Sequence, residues 1–174
     1  MKIEGLSHPV SPGDIASLTA LLAECVHAGA SIGFVEPLAP GEVEAFWKKA
    51  CNDVVQGSRL IFVARRQGDG QIVGSAQLGL ELRSNGRHRA EVQKVLVFPS
   101  ERRKGIASAL VGVVESAARS RGVTLLFLDT SIGKGGAQEL YLALGYTYCG
   151  GIPGYALDPD GTPADNAIYF KKLA

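Results

Sequence analysis

The segment Val95-Leu96-Val97-Phe98-Pro99-Ser100-Glu101-Arg102-Arg103-Lys104-Gly105-Ile106-Ala107 runs from an apolar strand into a basic, glycine-containing turn, and a helical apolar spacing begins at its end. A helix start of this kind presents unpaired N–H groups and the positive end of a dipole, worth about 0.3–2 kcal/mol toward an anion. Arg102, Arg103 and Lys104 add charge, while Gly105 and Ala107 carry little or no side chain to obstruct a diphosphate. The nucleotide P-loop would need a Lys-Ser/Thr pair after its last glycine, and neither that pair nor the six-residue dinucleotide fingerprint is present. Gly133-Lys134-Gly135-Gly136 has the look of a phosphate loop and reads as a connector. A second chemical candidate is Asp129, which follows the apolar run Val123–Leu128. Partial desolvation at the end of a buried strand would raise its pKa and suit it to proton abstraction, the other reading being a loop cap with Thr130 and Ser131. None of the cysteines stands beside a histidine and an acid, so no covalent nucleophile is predicted.

These residues need elements to position them. Near Lys2–Leu6 a short strand is predicted, and Ser11-Pro12-Gly13-Asp14 reads as an N-cap, a proline at the first helical position and a first-turn acid. Ile15, Leu18, Leu22 and Val26 follow at helical spacing, and the loop from Ile32 to Leu38 leads to a second helix from Pro40 that buries Val43, Trp47, Ala50 and Val54. The period then changes. Arg59–Arg66, Ile72–Leu82 and Arg89–Phe98 read as three strands of an antiparallel meander. From Gly105 the helical period returns, with Ile106, Leu110, Val114 and Ala117 on the apolar face and Glu115, Arg119 and Arg121 off it. Val123–Leu128 reads as a buried strand, and Ala137, Leu140, Tyr141 and Leu144 as a short helix. A strand Tyr146–Gly150, a Gly/Pro/Asp-rich excursion and a last strand Ala167–Lys171 complete an α/β chain with a βαβ unit in a mixed sheet of six or seven strands.

The 174 residues, 46% of them hydrophobic, are enough for one domain over 1–174 with a sizeable core. Lys and Arg number 18 against 17 Asp and Glu, so no global field draws the chain to nucleic acid or to an anionic membrane, and any anion site must be local. No apolar run approaches the ~20 residues of a membrane span, and no signal peptide is read at Met1. Cys25, Cys51 and Cys149 fit neither a disulfide framework nor a metal knuckle; a cytoplasmic protein without a metal is predicted.

The turn Arg102-Arg103-Lys104-Gly105-Ile106-Ala107 resembles the Q/R-x-x-G-x-G/A pyrophosphate loop of the GNAT superfamily of acyl-CoA-dependent N-acyltransferases, with Ala107 in place of the final glycine. Leu140-Tyr141-Leu142-Ala143-Leu144-Gly145-Tyr146 resembles the later helix-to-strand signature of that superfamily, and the order of elements agrees over about residues 59–149. Within the superfamily the chain is similar to the tabtoxin-resistance acetyltransferases at Val26–Phe34, Ser75–Leu78, Arg89–Lys94, Leu128–Thr130, Ile152–Tyr155 and Ala167–Lys171. Where many members have an asparagine three residues before the alanine of the later helix, this chain has Lys134, a departure that bears on the usual contact to the pantetheine arm.

The resemblance implies a GNAT fold, a mixed, mostly antiparallel sheet flanked by helices around a βαβ acyl-CoA-binding core. It implies acetyl-CoA as co-substrate, held by Arg102, Arg103, Lys104, Gly105, Ile106, Ala107 and Ser108 and by the backbone of Val95, Leu96 and Val97 where that strand splays from its neighbour. Transfer from a thioester to an amine needs a neutral amine, an oxyanion donor and an acid for the departing thiolate. The resemblance gives the last role to Tyr141; the general base is Asp129 or Glu91. Strand alternation puts Glu91, Gln93, Val95 and Val97 on one face, and a salt bridge of Glu91 with Arg89 or in the neighbourhood of Lys94 is its structural alternative. His27, Glu36, Gln93 and Tyr155 are the candidates for acceptor binding. The acceptor implied is a small, amino-acid-like primary amine such as tabtoxinine-β-lactam, acetylated directly in a ternary complex. Acetylation of a protein or peptide amine and a non-catalytic acyl-CoA sensor are the alternatives. A homodimer is common in the superfamily, and the last strand is a candidate contact.

Overall fold

Ser11 accepts the Asp14 N–H at 3.0 Å and starts helix α1 (Pro12–His27), whose Leu18, Leu21, Leu22, Cys25 and Val26 are buried. This is the cap the sequence predicted, with Pro12 supplying a preset φ. The computed structural model describes residues 1–133 and 136–173. Helix α2 (Glu42–Val55) starts two residues after the predicted Pro40, because Gly41 caps it in the left-handed conformation at φ 76°.

A seven-stranded sheet has the order β1 (Lys2–Gly5), β2 (Arg59–Arg65), β3 (Ile72–Leu80), β4 (Arg89–Val97), β5 (Leu125–Ser131), β9 (Asn166–Lys172) and β6 (Thr147–Gly150). All its neighbours pair antiparallel except β4 and β5, which are joined by helix α3 (Ile106–Arg119). The predicted meander and the βαβ unit are therefore present, in a GNAT-type α/β architecture. Helix α4 (Ala137–Ala143) follows β5, and the Gly/Pro/Asp-rich excursion forms a small hairpin, β7 (Ala156–Leu157) and β8 (Pro163–Ala164), which its composition does not signal. Strand β5 begins two residues later than expected and runs on to Ser131, since Gly122 at φ 73° and the Val123 N–H to Ala118 bond hold Val123 in the turn.

Two apolar layers cover the sheet. Ala90, Val92, Leu126 and Leu128 pack with Leu110, Val114 and Ala118 of α3, whereas Ile61, Val63, Ile72 and Leu96 pack with α1 and α2 around the fully buried Trp47. The approach of α3 to β3 is close: a Cβ on Gly74 would stand 3.0 Å from Ile106 Cγ2 and 3.1 Å from Leu110 Cδ1. Two expectations for α3 are corrected. Ala118 rather than Ala117 is its buried alanine, and Glu115, placed off the apolar face by its charge, is buried against Lys171 Nζ at 2.7 and 2.8 Å. The same ammonium donates to the Leu144 carbonyl at 2.7 Å and lies 5.4 Å over the Tyr146 ring, so the two charges are buried together.

Candidate active site

Strands β4 and β5 pair only from Arg89–Glu91 to Leu125–Phe127. Beyond that rung β4 stays with β3 as far as Val97 and β5 stays with β9 as far as Ser131, so the sheet opens between them. A bulge in β4 accompanies the opening. Ser75 pairs with Leu96 and Gln77 with Gln93, which leaves Lys94 and Val95 opposite Ala76, with Lys94 at φ 47°. An inserted residue bends a strand and breaks its alternation. Glu91 and Gln93 accordingly share the α1/α2 side with Leu96, while Val95 and Val97 pack toward the α3 layer; the single face predicted for all four is corrected.

The opening leads into a cleft of about 790 Å3, lined by the C-terminal end of α1, Val95–Val97, the turn before α3, the end of β5 and α4. After a 3-10 turn at Pro99–Glu101, Arg103 at φ 65° and Gly105 at φ 79° shape the main chain into the α3 N-terminus. Gly105 caps without a side chain, and a Cβ there would meet nothing within 4 Å. The first bond of α3 runs from Ala109 N–H to the Gly105 carbonyl, so the N–H groups of Ile106, Ala107 and Ser108, all lining the cleft, have no helical acceptor. Arg102 and Arg103 line the cleft beside them, and Arg102 Nε donates to the Val97 carbonyl at 3.3 Å. Lys104 does not line it: its ammonium stands 2.7 Å from Glu101 Oε2. The donors and two cations fit a diphosphate, and the apolar gap between β4 and β5 fits the arm attached to it. Lys134 lies outside the described residues.

Tyr141 is buried on α4, lines the cleft, and packs edge-on against Tyr146 at 5.6 Å. Burial, with the Asp129 charge adding to it, pushes its phenol well above the ordinary tyrosine range, so the hydroxyl keeps its proton. Among the described residues no hydrogen bond occupies that hydroxyl. Cys25 also lines the cleft, its thiol donating to the Val97 carbonyl at 3.5 Å. Burial raises its pKa against the opposing pull of Arg102, so a thiolate is disfavoured.

Asp129 is exposed, not desolvated as its place after an apolar run suggested. Leu126 and Leu128 take the buried α3 side of β5, and alternation turns Asp129 to the other side, where Asn166 Nδ2 stands 3.4 Å from Oδ2. Glu91 is half-buried and accepts from Gln93 Nε2 at 2.6 Å; Gln93 Oε1 in turn accepts from Arg59 Nη1 at 2.6 Å, and Arg59 also bonds Gln77 and Asp53. Gln93 thus serves to hold Glu91; neither of them lines the cleft, and neither does Asp129, whose neighbours Thr130 and Ser131 do. Arg89 pairs with Glu81 at 3.2 Å, which removes the alternative pairing with Glu91.

His27 and Glu36 bond each other at the cleft edge, an association that sequence separation concealed. Tyr155 is exposed and outside the cleft lining. The segment Asp158–Asp160 lines the cleft instead, docked by the Glu36 N–H to Pro159 carbonyl bond of 2.8 Å and the Ser31 Oγ to Leu157 carbonyl bond of 3.2 Å. Arg59, Lys94, Asn166 and Asp158–Asp160 are the site-region residues the sequence reading missed. Only the Asp-Pro-Asp-Gly run carried a local signal, and it signalled a turn.

All three cysteines are free thiols, and among the described residues no group of three or more His, Cys, Asp or Glu is placed to hold a metal ion. Among the same residues no helix is long and apolar enough to cross a membrane.

The profile of the Acetyltransferase (GNAT) family matches residues 20–146. The "Uncharacterized N-acetyltransferase in hisH-hisA intergenic region" of Azospirillum brasilense is 37% identical over 119 residues, 67% of this chain and 68% of that protein. A ribosomal-protein-alanine N-acetyltransferase from Brucella melitensis superposes with a TM-score of 0.80 at 25% identity, covering 99% of this chain and 100% of that one. A phosphinothricin acetyltransferase from Sinorhizobium meliloti, solved in complex with AcCoA, has a TM-score of 0.79 at 20% identity over 99% of this chain and 88% of that one, a likeness of fold. With the profile spanning most of the chain and the diphosphate-fitting turn where that fold requires it, the chain belongs to the GNAT acetyltransferase family and is an acetyl-CoA-dependent N-acetyltransferase.

Proposed function

We propose that this enzyme acetylates the primary amine of a small, amino-acid-like acceptor, tabtoxinine-β-lactam being one such molecule, by direct transfer in a ternary complex. The observation that carries this reading is the cluster of charged side chains on the α1/α2 side of the sheet at the β4–β5 opening, next to the acetyl-CoA cleft and outside its lining. There Glu91, Asp129, Lys94 and the Arg59 network bring both signs of charge to one small region. A zwitterionic acceptor matches that pattern better than a peptide segment does, because the hairpin segment Asp158–Asp160 docks on the α1–α2 loop and narrows the approach.

Acetyl-CoA, when bound, supplies the thioester carbonyl and the thiol leaving group. The N–H groups of Ile106, Ala107 and Ser108, with Arg102 and Arg103, hold the pyrophosphate; the backbone of Val95–Val97 faces the arm and the carbonyl oxygen. Asp129 accepts the amine proton at its carboxylate, and Glu91, fixed by Gln93, orients the amine. Tyr141 Oη holds a proton for the sulfur, and its raised pKa keeps that proton available. Residues 1–174 act as one domain in the cytoplasm, with no nucleic-acid, membrane or metal requirement. The homodimer contact expected of the last strand passes to the sheet edge at β6, because β9 is paired on both sides by β5 and β6. Tabtoxinine-β-lactam and free amino acids, each compared with short peptides in a thiol-release assay, test the reading: kcat/KM higher for a peptide than for every small acceptor overturns it.

A further inference from the structure

Lys94 occupies the bulge of β4, and its place there is fixed by backbone geometry at φ 47°. Its ammonium lies 5.6 Å from the centroid of the Phe46 ring and beside Gly33 of the loop after α1, where a Cβ would stand at an ordinary contact distance of 3.7 Å from Nζ. The side chain is largely buried, yet among the described residues its ammonium makes no hydrogen bond or ion pair, and Nζ is not sealed from solvent. The charged groups that face it are Arg59 from β2, Glu91 from its own strand and Asp129 from β5, all acting through space. Desolvation and the Arg59 charge together hold its pKa below the ordinary lysine value, and the two carboxylates oppose them. A partly desolvated cation with no hydrogen bond or ion pair costs free energy that an incoming anion offsets.

We propose that Lys94 is the anion anchor of the acceptor site, binding the carboxylate of an amino-acid-like acceptor and so selecting acceptors that carry one. The inference rests on the small-acceptor reading given above. Its geometric ground is the bulge, which sets Lys94 beside the β4–β5 opening, near enough to Glu91 on the last shared rung and to Asp129 just beyond it for both carboxylate charges to act on its ammonium. The Phe46 ring shields the ammonium from water, so the contact is made in a partly desolvated setting where a charge pair gains strength. No residue already given a role in acetyl-CoA binding takes part.

The test uses the full-length enzyme with acetyl-CoA and pairs of acceptors that differ only at the carboxylate, each L-amino acid against its amide. The quantity read is the ratio of kcat/KM for acid over amide. Wild type is expected to favour the acid by about tenfold or more, Lys94→Met to bring the ratio close to one, Lys94→Arg to keep part of the preference, and Lys94→Glu to invert it. The KM for acetyl-CoA and the melting temperature, followed in parallel, separate this role from a fold defect. A wild-type ratio near one, or a ratio that survives Lys94→Met, overturns the assignment. If a peptide amine proves the best acceptor, the small-acceptor reading falls and Lys94 with it. If a small acceptor is best but the ratio ignores Lys94, that reading stands and only the anchor is lost.

Discussion

Glu91 stands on the last rung shared by β4 and β5, and Asp129 stands two residues beyond its partner Phe127 on the same side of the sheet. Asp129 therefore borders the opening itself, whereas Glu91 borders its closed end. From this order Asp129→Asn is expected to lower kcat by about tenfold or more, a loss of about 1.4 kcal/mol of transition-state stabilisation, while acetyl-CoA affinity holds. Glu91→Gln is expected to act mainly on the acceptor KM. Steady-state kinetics of both variants check the division; a kcat loss confined to Glu91→Gln would exchange the two roles.

In the mechanism proposed above Tyr141 acts as the protonated phenol. Because burial and Asp129 raise its pKa, deprotonation falls above the ordinary tyrosine value, and the alkaline limb it controls moves upward in pH. With sufficient acceptor, kcat should hold steady from pH 7 to about 10, the range below the unperturbed phenol pKa. Tyr141→Phe should lower kcat by about tenfold or more at every pH in that range while leaving acetyl-CoA binding in place. An alkaline fall within the range that disappears in Tyr141→Phe would contradict the shift.

The two cations lining the cleft differ from the third. Arg103→Ala should weaken acetyl-CoA binding by about fivefold or more and flatten its dependence on salt, whereas Lys104→Ala, whose ammonium is committed to Glu101, should change affinity by less than about twofold. Calorimetry across a salt series reads both. Equal losses in the two variants would place Lys104 in the anion site after all.

Glu115 and Lys171 are buried together, with side-chain exposures of 9% and 20%. Removing one partner leaves the other as an uncompensated buried charge, so Glu115→Ala is expected to cost about 3 kcal/mol of stability. The double change Glu115→Leu with Lys171→Met should cost much less than either single change. Urea unfolding of Glu115→Ala, the two single changes and the double tests this, and a stability unchanged by Glu115→Ala would show the pair to be solvated.

The parts of the fold that were legible are those written in local chemistry. Ser11-Pro12, the period-two strands and the basic turn before α3 each carry their signal within a few residues, and each element formed where that signal lay. The bulge at Lys94 had no such signal. Its positive φ falls on a lysine, so nothing in the residue type marked the break in alternation that moved Val95 and Val97 away from Glu91. Asp129 and Glu115 were misplaced for one shared reason: burial depends on which layer covers a face, and that is set by the packing of elements distant in sequence. His27 and Glu36 were both singled out, but their mutual bond depends on the path of the loop between them.

The most direct measurement is release of free CoA thiol from acetyl-CoA across tabtoxinine-β-lactam, free amino acids, polyamines and short peptides. Release is expected to depend on the acceptor, with a small amino-acid-like amine giving the highest kcat/KM. Release that is fastest with a peptide amine, or no release with any small amine despite measurable acetyl-CoA binding, would contradict it.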